Sequence, residues 1–262
     1  RDCLAHSGGM STWYDGASEV EIGTLAPFIR SHTVGAGAVD TGTHLYRVEW
    51  QWTDSLGQLH HGQLGNVYSV TLGAPGGVTL DVETLALTRK GDISDGQYRD
   101  LALIVYRNTL TSPGVFYRLT PFVTGYVSTS NVWNTKASYL VQISDALSDA
   151  AVEALGYGFI YTFGDVAQDV PAPPSVATVT HNNRLWLISG LDQREVWASK
   201  LITPAAGPGF SPVLVSRVES SQGATALGSL DDKLIIFTPD EIWYLSGDGP
   251  NDTGGGGSWI GP

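Results

Sequence analysis

The chain has 262 residues, a net charge of −12, a pI near 4.7, 42% apolar residues and only 15% charged ones. That length buries the core of one large or two ordinary domains, and the content is too apolar and aromatic for a disordered chain. Tight binding of nucleic acid needs Lys and Arg to neutralise phosphates, and 14 spread along an acidic chain exclude it. A single cysteine, Cys3, excludes an internal disulfide framework and a cysteine-rich zinc site. No apolar run reaches the roughly 18–20 residues of a membrane-spanning helix. The 32 glycines, with abundant Thr, Ser, Val, Trp and Tyr, predict an all-β protein with many turns.

Residues 1–24 are polar and Gly-rich and lack the apolar core of a secretory signal. Gly8-Gly9-Met10, Trp13-Tyr14-Asp15-Gly16 and Glu19-Val20-Glu21-Ile22 predict two short strands around an Asp-Gly turn, the end of a propeller-type blade. Residues 30–43, rich in Gly, Ala and Thr, read as a linker. From Leu45 to Thr53, Tyr46, Val48, Trp50 and Trp52 alternate with Arg47, Glu49 and Gln51, the period of a half-buried strand. Return and further strands are expected at residues 58–61, 67–72, 78–88, 101–107 and 115–122. The phase change between Val82 and Leu85 marks a bulge or a break. Leu101 to Tyr106 is apolar on both faces and belongs centrally. Together, residues 40–128 predict an immunoglobulin- or fibronectin-like sandwich, the fibronectin type fitting better without a disulfide. Its expected core is Trp50, Trp52, Ile104 and Tyr106.

Residues 139–156 predict the one helix, capped by Ser144, with Asp145 in the first turn and Gly156 as its stop. A strand at Phe159–Phe163 and the Pro-rich stretch Val170–Pro174 lead to a unit that occurs twice. The first copy runs from Ala177 through the turn Asn182-Asn183 to Ile188, then Glu195-Val196-Trp197-Ala198-Ser199. The second runs from Ala226 through Asp231-Asp232 to Phe237, then Glu241-Ile242-Trp243-Tyr244-Leu245. Arg184 aligns with Lys233 and Trp197 with Trp243, a spacing within the roughly 40–50 residues of propeller blades. Trp13, Trp186, Trp197 and Trp243 are the expected propeller core. The organisation expected is a blade-like segment and linker at 1–39, the sandwich at 40–128, and a helix plus blades at 129–262. The chain opens at Arg1 without an initiator methionine and stops in mid-pattern, so it reads as part of a longer polypeptide with an incomplete propeller.

Chemistry is hard to find along the chain. His6, His32, His44, His60, His61 and His181 show no metal-binding spacing, and adjacent residues His60 and His61 point to opposite faces of a strand. The acidic loops at 92–96 and 248–252 lack the ligand order of a calcium loop and read as Asx turns. No nucleophile elbow or P-loop occurs. Asp15, Asp165, Asp231 and Asp240 are the carboxylates a glycosidase would have to pair, and turn and cap roles account for them more simply. No catalytic, cofactor or metal residue is assigned.

Several of these segments, in order, resemble a known family. Phe159-Ile-Tyr-Thr-Phe-Gly164, Pro171–Pro174, Asn183-Arg184-Leu185-Trp186-Leu187, Val196-Trp197-Ala198-Ser199-Lys200, Leu230–Phe237 and Gly247-Asp-Gly-Pro-Asn-Asp-Thr253 are similar to the tail propeller proteins of tailed bacteriophages, which form the nozzle or hub of short tails. Gly8-Gly9-Met10 and Glu21-Ile22-Gly23 resemble the blade before the sandwich inserted in that family. Ile104-Val105-Tyr106-Arg107 and Phe116-Tyr117-Arg118 resemble the insertion itself. The resemblance implies a non-enzymatic virion protein, made in the host cytoplasm, forming a ring usually of six copies that abuts adaptor and fibre proteins. DNA would pass through transiently without tight binding. The alternative is a secreted or surface propeller that binds or cleaves polysaccharide.

Overall fold

The computed structural model describes residues 4–14, 19–54, 59–90, 101–121, 132–161, 169–202 and 208–260. They form a mainly β protein with one short helix. Two compact units divide the chain, one of Arg1–Thr24, Ser55–His60 and Val166–Pro262, the other of Leu25–Asp54 and His61–Asp165. The first unit opens with β1 (Leu4–His6), β2 (Thr12–Tyr14) and β3 (Glu19–Glu21), a three-stranded antiparallel sheet.

The second unit begins with β4 (Ile29–Val39) and β5 (Gly42–Thr53). Residues 30–43 are therefore strand and turn rather than linker. Six residues of β4 pair with β8 before the register shifts between Gly35 and Val39. The small side chains permit this: a Cβ on Gly77 would strike the Ala36 carbonyl, and one on Gly37 would lie 2.5 Å from the Gly77 Cα. β6 (Leu59–His61) falls where the chain passes between the units. β7 (Tyr68–Leu72), β8 (Gly76–Glu83), β9 (Ala102–Asn108), β10 (Val115–Arg118) and β11 (Val132–Trp133) follow. β8, expected from Val78, starts at Gly76 and stops at Glu83, where the apolar phase changes.

The predicted helix at 139–156 is mostly something else. Leu140–Asp145 is strand β12, paired with β8 from Leu140↔Glu83 to Asp145↔Val78. The helix α1 covers only Asp149–Ala154, capped by Ser148, whose Oγ accepts from the Ala151 amide at 3.3 Å. Ser144, the expected cap, instead shares a hydrogen bond with Thr79 across the sheet. Gly156 follows the helix at φ +66°, the left-handed stop that its type favours. β13 (Phe159–Tyr161) completes the unit.

One sheet runs β13-β10-β9-β5, with β7 on β5 and β11 on β9, and curls into a half-barrel; the other is β12-β8-β4. As its apolar run requires, β9 is central and buried throughout. β5 departs from the half-buried pattern. Glu49 and Gln51 are buried along with Trp50 and Trp52 because both faces of this sheet are covered. This unit extends beyond 40–128 at both ends, because β4 and β12 flank β8.

The first unit resumes with a four-stranded meander, β14 (Ser175–His181), β15 (Arg184–Ser189), β16 (Glu195–Ser199) and β17 (Phe210–Arg217). A second meander follows, β18 (Ala226–Leu230), β19 (Lys233–Phe237) and β20 (Ile242–Ser246). Their hairpins match in register: Leu187 faces Trp197 as Ile236 faces Trp243. Asn182 and Asn183 lie at φ +47° and +55°, and Asp231 at φ +50°, the backbone twist that joins tight hairpins. Ile260 then rejoins β20, exchanging both backbone hydrogen bonds with Ser246.

Gly77→Ala should destabilise the chain by about 1–3 kcal/mol, the usual range for overpacking, because backbone rather than a mobile side chain occupies the space. Urea denaturation checks it: the midpoint falls while the slope is unchanged.

Candidate functional site

The repeated hairpins meet in one core. Trp186, Ile188, Val196 and Ala198 of β15–β16 pack with Leu214, Val218, Ala224, Leu234 and Ile236, and Trp243, Leu245 and Leu227 close over them. Side chains alternate across a strand, so these positions define which face each sheet turns inward. The first hairpin buries the face of Trp186 and Ile188. The second buries the face of Leu234 and Ile236, which align with Leu185 and Leu187, on the opposite pleat. Two copies of one motif thus stack front to back.

The predicted tryptophans are divided by this arrangement. Trp186 is buried, donates Nε1–H to the His181 carbonyl at 3.1 Å, and meets Trp259 edge to face at 4.9 Å. Trp243 packs on the shared core, while Trp197, at the aligned position, lies on the pleat opposite Val196 and Ala198. Both are half-buried and donate Nε1–H to a glutamate two residues earlier, Glu195 at 3.2 Å and Glu241 at 3.0 Å. Trp13 is buried in the first unit, edge-on to His60. In the second unit Trp50, Trp52, Ile104 and Tyr106 are all buried but do not form one core. Ile104 and Tyr106 join Ala102 and Phe116, whereas Trp50 stands on the other face of the sheet, opposite Leu103.

Arg184 has a role that its alignment with Lys233 hides. Buried, it donates Nη1–H to the Ser199 carbonyl at 2.7 Å and Nη2–H to the Pro250 carbonyl at 2.8 Å, with Asp252 at 3.7 Å. The Leu201 amide donates to Asp252 at 3.2 Å. These contacts hold the 248–252 loop, and within it the Asn251 carboxamide oxygen accepts from Thr253 and Gly255. Burial, opposed by Asp252 and Asp248, pushes the Arg184 guanidinium pKa down. Lys233 is exposed, 3.8 Å from Asp232. A charged residue directly before the apolar run Leu185–Ile188 is the sequence signal for this role.

The second unit carries a buried ionic cluster that no sequence motif announces. Arg107, 0% exposed, donates Nη1–H to Asp145 at 2.5 Å and Nη2–H to Asp149 at 3.1 Å, and both nitrogens donate to the Leu147 carbonyl. Tyr46 donates its hydroxyl to Asp145 at 2.8 Å. Burial first, and then the Asp145 charge, raises the Tyr46 pKa well above its ordinary value. Asp149 accepts from the Leu110 amide, and its own amide donates to Asp40. His44 is buried alongside, bonded through Nε2 to the Asp40 carbonyl. A cavity of about 370 Å³ lies nearby, lined by Leu80, Val105, Leu119, Ile143, Leu155 and Tyr157 among others.

Among the described residues no group of three or more His, Cys, Asp and Glu stands ready to hold a metal ion. His60 and His61 have separate neighbours, Trp13 and Glu49. His32 bonds Tyr68, and His181 bonds Ser229. Asp231 and Asp240 sit at opposite ends of β19, one in a turn and the other accepting from Thr238. Asp15, Asp165 and the 92–96 loop lie outside the described residues.

The outer face of β18–β20 carries partly exposed apolar side chains, with Lys233 over the Tyr244 ring. Phe237 pairs with Ile242 and Ile235 with Tyr244 across it; Phe237 and Tyr244 are each 38% exposed and Ile242 is 69% exposed. No family model matches the chain, and no curated protein or solved structure matches it.

Arg107→Met should cost about 3–5 kcal/mol, the range for leaving buried charges unpaired. Arg107→Met with Asp145→Asn should recover part of that loss, and a double-mutant cycle in urea reads the coupling. Arg184→Ala should free the 248–252 loop while the far-ultraviolet spectrum is kept. Limited proteolysis should then cleave near Asp252 at least about tenfold faster, as expected where local opening costs about 1.4 kcal/mol less.

Proposed function

We propose that this chain is a non-enzymatic structural component of a bacteriophage tail, contributing propeller blades to a ring-shaped nozzle or hub through which the genome leaves. The observation that carries this reading is the front-to-back stacking of the two repeated hairpins. Propeller blades meet in this way, each offering one face and accepting on the other. The four-stranded meander β14–β17 has the strand count of a blade, and Ile260 bridges to Ser246 beside β18–β20.

The second unit supports an inserted fibronectin- or immunoglobulin-like sandwich. Its two sheets are composed of segments lying between residues 25 and 165, and the propeller-like strands resume after it. Ring partners, usually six copies by the family resemblance, would meet through head-to-tail contacts. Adaptor and fibre proteins would adjoin them in the virion. A net charge of −12 repels DNA passing through, so the genome would slide without adsorbing. No described helix is long and apolar enough to cross a membrane.

Light scattering on the purified chain and electron microscopy of virions test this. The expected outcome is a closed ring coaxial with the tail; a stable single-copy mass together with absence from virions overturns the reading.

A further inference from the structure

The ionic cluster buried in the second unit does not balance its own charge. Among the described residues, Arg107 is the one permanent cation paired with Asp145 and Asp149, which are 5% and 7% exposed. Asp40 adds a third carboxylate, at the Asp149 amide. The other groups on Asp145, the Tyr46 hydroxyl and the Leu147 amide, give it hydrogen bonds but no charge. His44 stands 3.8 Å from Asp149, so a proton placed there serves that carboxylate and not Asp145. Negative charge in excess in a water-poor interior attracts a cation more strongly than it does in water.

The neighbouring cavity has Asp145 on its wall. It lies between the two sheets of this unit, with Val105 of β9 on one side and Leu80 of β8 and Ile143 of β12 on the other. Leu155 and Tyr157, which follow α1, also line it. Its volume of about 370 Å³ is more than twice the roughly 150 Å³ that encloses one benzene ring, so a ring carrying a short chain fits. Among the described residues Asp145 is the only charged one on this wall, which has no Lys, Arg or His. Buried Thr120 adds a hydroxyl that the Val105 amide reaches only at 3.4 Å, leaving most of its acceptor capacity unused. We propose that this cavity is a binding site for a small apolar amine, its hydrocarbon body between the sheets and its ammonium toward Asp145. The wall selects that class. Aliphatic side chains take the body out of water, the sole charge is negative, and an anion would meet a carboxylate already in excess. The site belongs to the second unit alone and holds whether or not the chain forms a ring.

The test uses the full chain and three probes of similar shape, 2-phenylethylamine, 2-phenylethanol and 3-phenylpropanoate. Calorimetry reads affinity, and the methyl resonances of Val105, Ile143 and Leu155 read location. The amine should bind at least about tenfold more tightly than the alcohol, with the carboxylate weakest. The three methyl-bearing residues should shift, while Ile188 and Val196 in the core of the first unit stay fixed. Leu155→Trp, at a half-buried position, fills the space and should abolish binding of the amine. Should that variant not fold, the methyl shifts in the wild-type chain decide the location alone. Equal affinity for amine and alcohol overturns the proposal, as does an amine that leaves the three residues unshifted or still binds folded Leu155→Trp. So does an amine that fails to bind at concentrations up to about 10 mM.

Discussion

A β-hairpin has two faces, and a protein that stacks copies of one hairpin must choose which faces meet. If like faces met, the pair would be related by a local two-fold axis. Here unlike faces meet, with Trp186 and Ile188 from one copy against Leu234, Ile236 and Trp243 from the next. Each large apolar side chain fully buried there contributes about 1.5–3 kcal/mol, so the stacking is a principal source of this unit's stability. This unlike-face packing belongs to whole sheets rather than to any single side chain.

The second unit solves a different problem. A sheet buried on both faces must accommodate the polar residues that alternation places inside it. Arg107 is the most demanding, since an unpaired buried charge costs several kcal/mol. Its two carboxylate partners come from Asp145, at the end of β12, and Asp149, at the start of α1. Satisfying one guanidinium therefore fixes where β12 ends and where the helix begins. Asp40, at the β4–β5 turn, is drawn in through the Asp149 amide. On the other face, Glu49 accepts from Tyr106 at 2.7 Å and Gln51 accepts from Arg118 at 3.0 Å. The polar residues inside this sheet hold its edges in place.

Ionic partnering also explains why residues 140–145 are strand rather than helix. Ser144, Asp145 and the alanines after them have the look of a helix start, because a hydroxyl and a carboxylate favour an N-terminus. Those two side chains were instead needed by Thr79 on β8 and by Arg107 on β9, so the strand persisted and the helix began at the next serine. The Gly- and Ala-rich stretch at 30–43 is strand and turn rather than linker for a related reason. Small residues signal a flexible linker when nothing lies close by, and a close approach of backbones when something does. Only the position of Gly77 distinguishes the two.

What the sequence determined by itself is local. Alternation marked β5, the doubly apolar run placed β9 at the centre of its sheet, and the paired polar turns located both repeated hairpins, because strand period and turn chemistry are written in adjacent residues. The repeat also showed that the two tryptophan-bearing strands are equivalent. Tertiary structure alone decided that the pleat of Trp243 faces the shared core while the equivalent pleat of Trp197 does not, that Arg184 holds a loop while Lys233 lies exposed over the Tyr244 ring, and that Glu49 and Gln51 are interior. Each depends on what covers a face, and the covering groups come from segments far along the chain, such as the Pro250 carbonyl for Arg184 and the Arg118 guanidinium for Gln51. A strand's own residues state which side chains share a face, but the neighbour that arrives decides which face is inside.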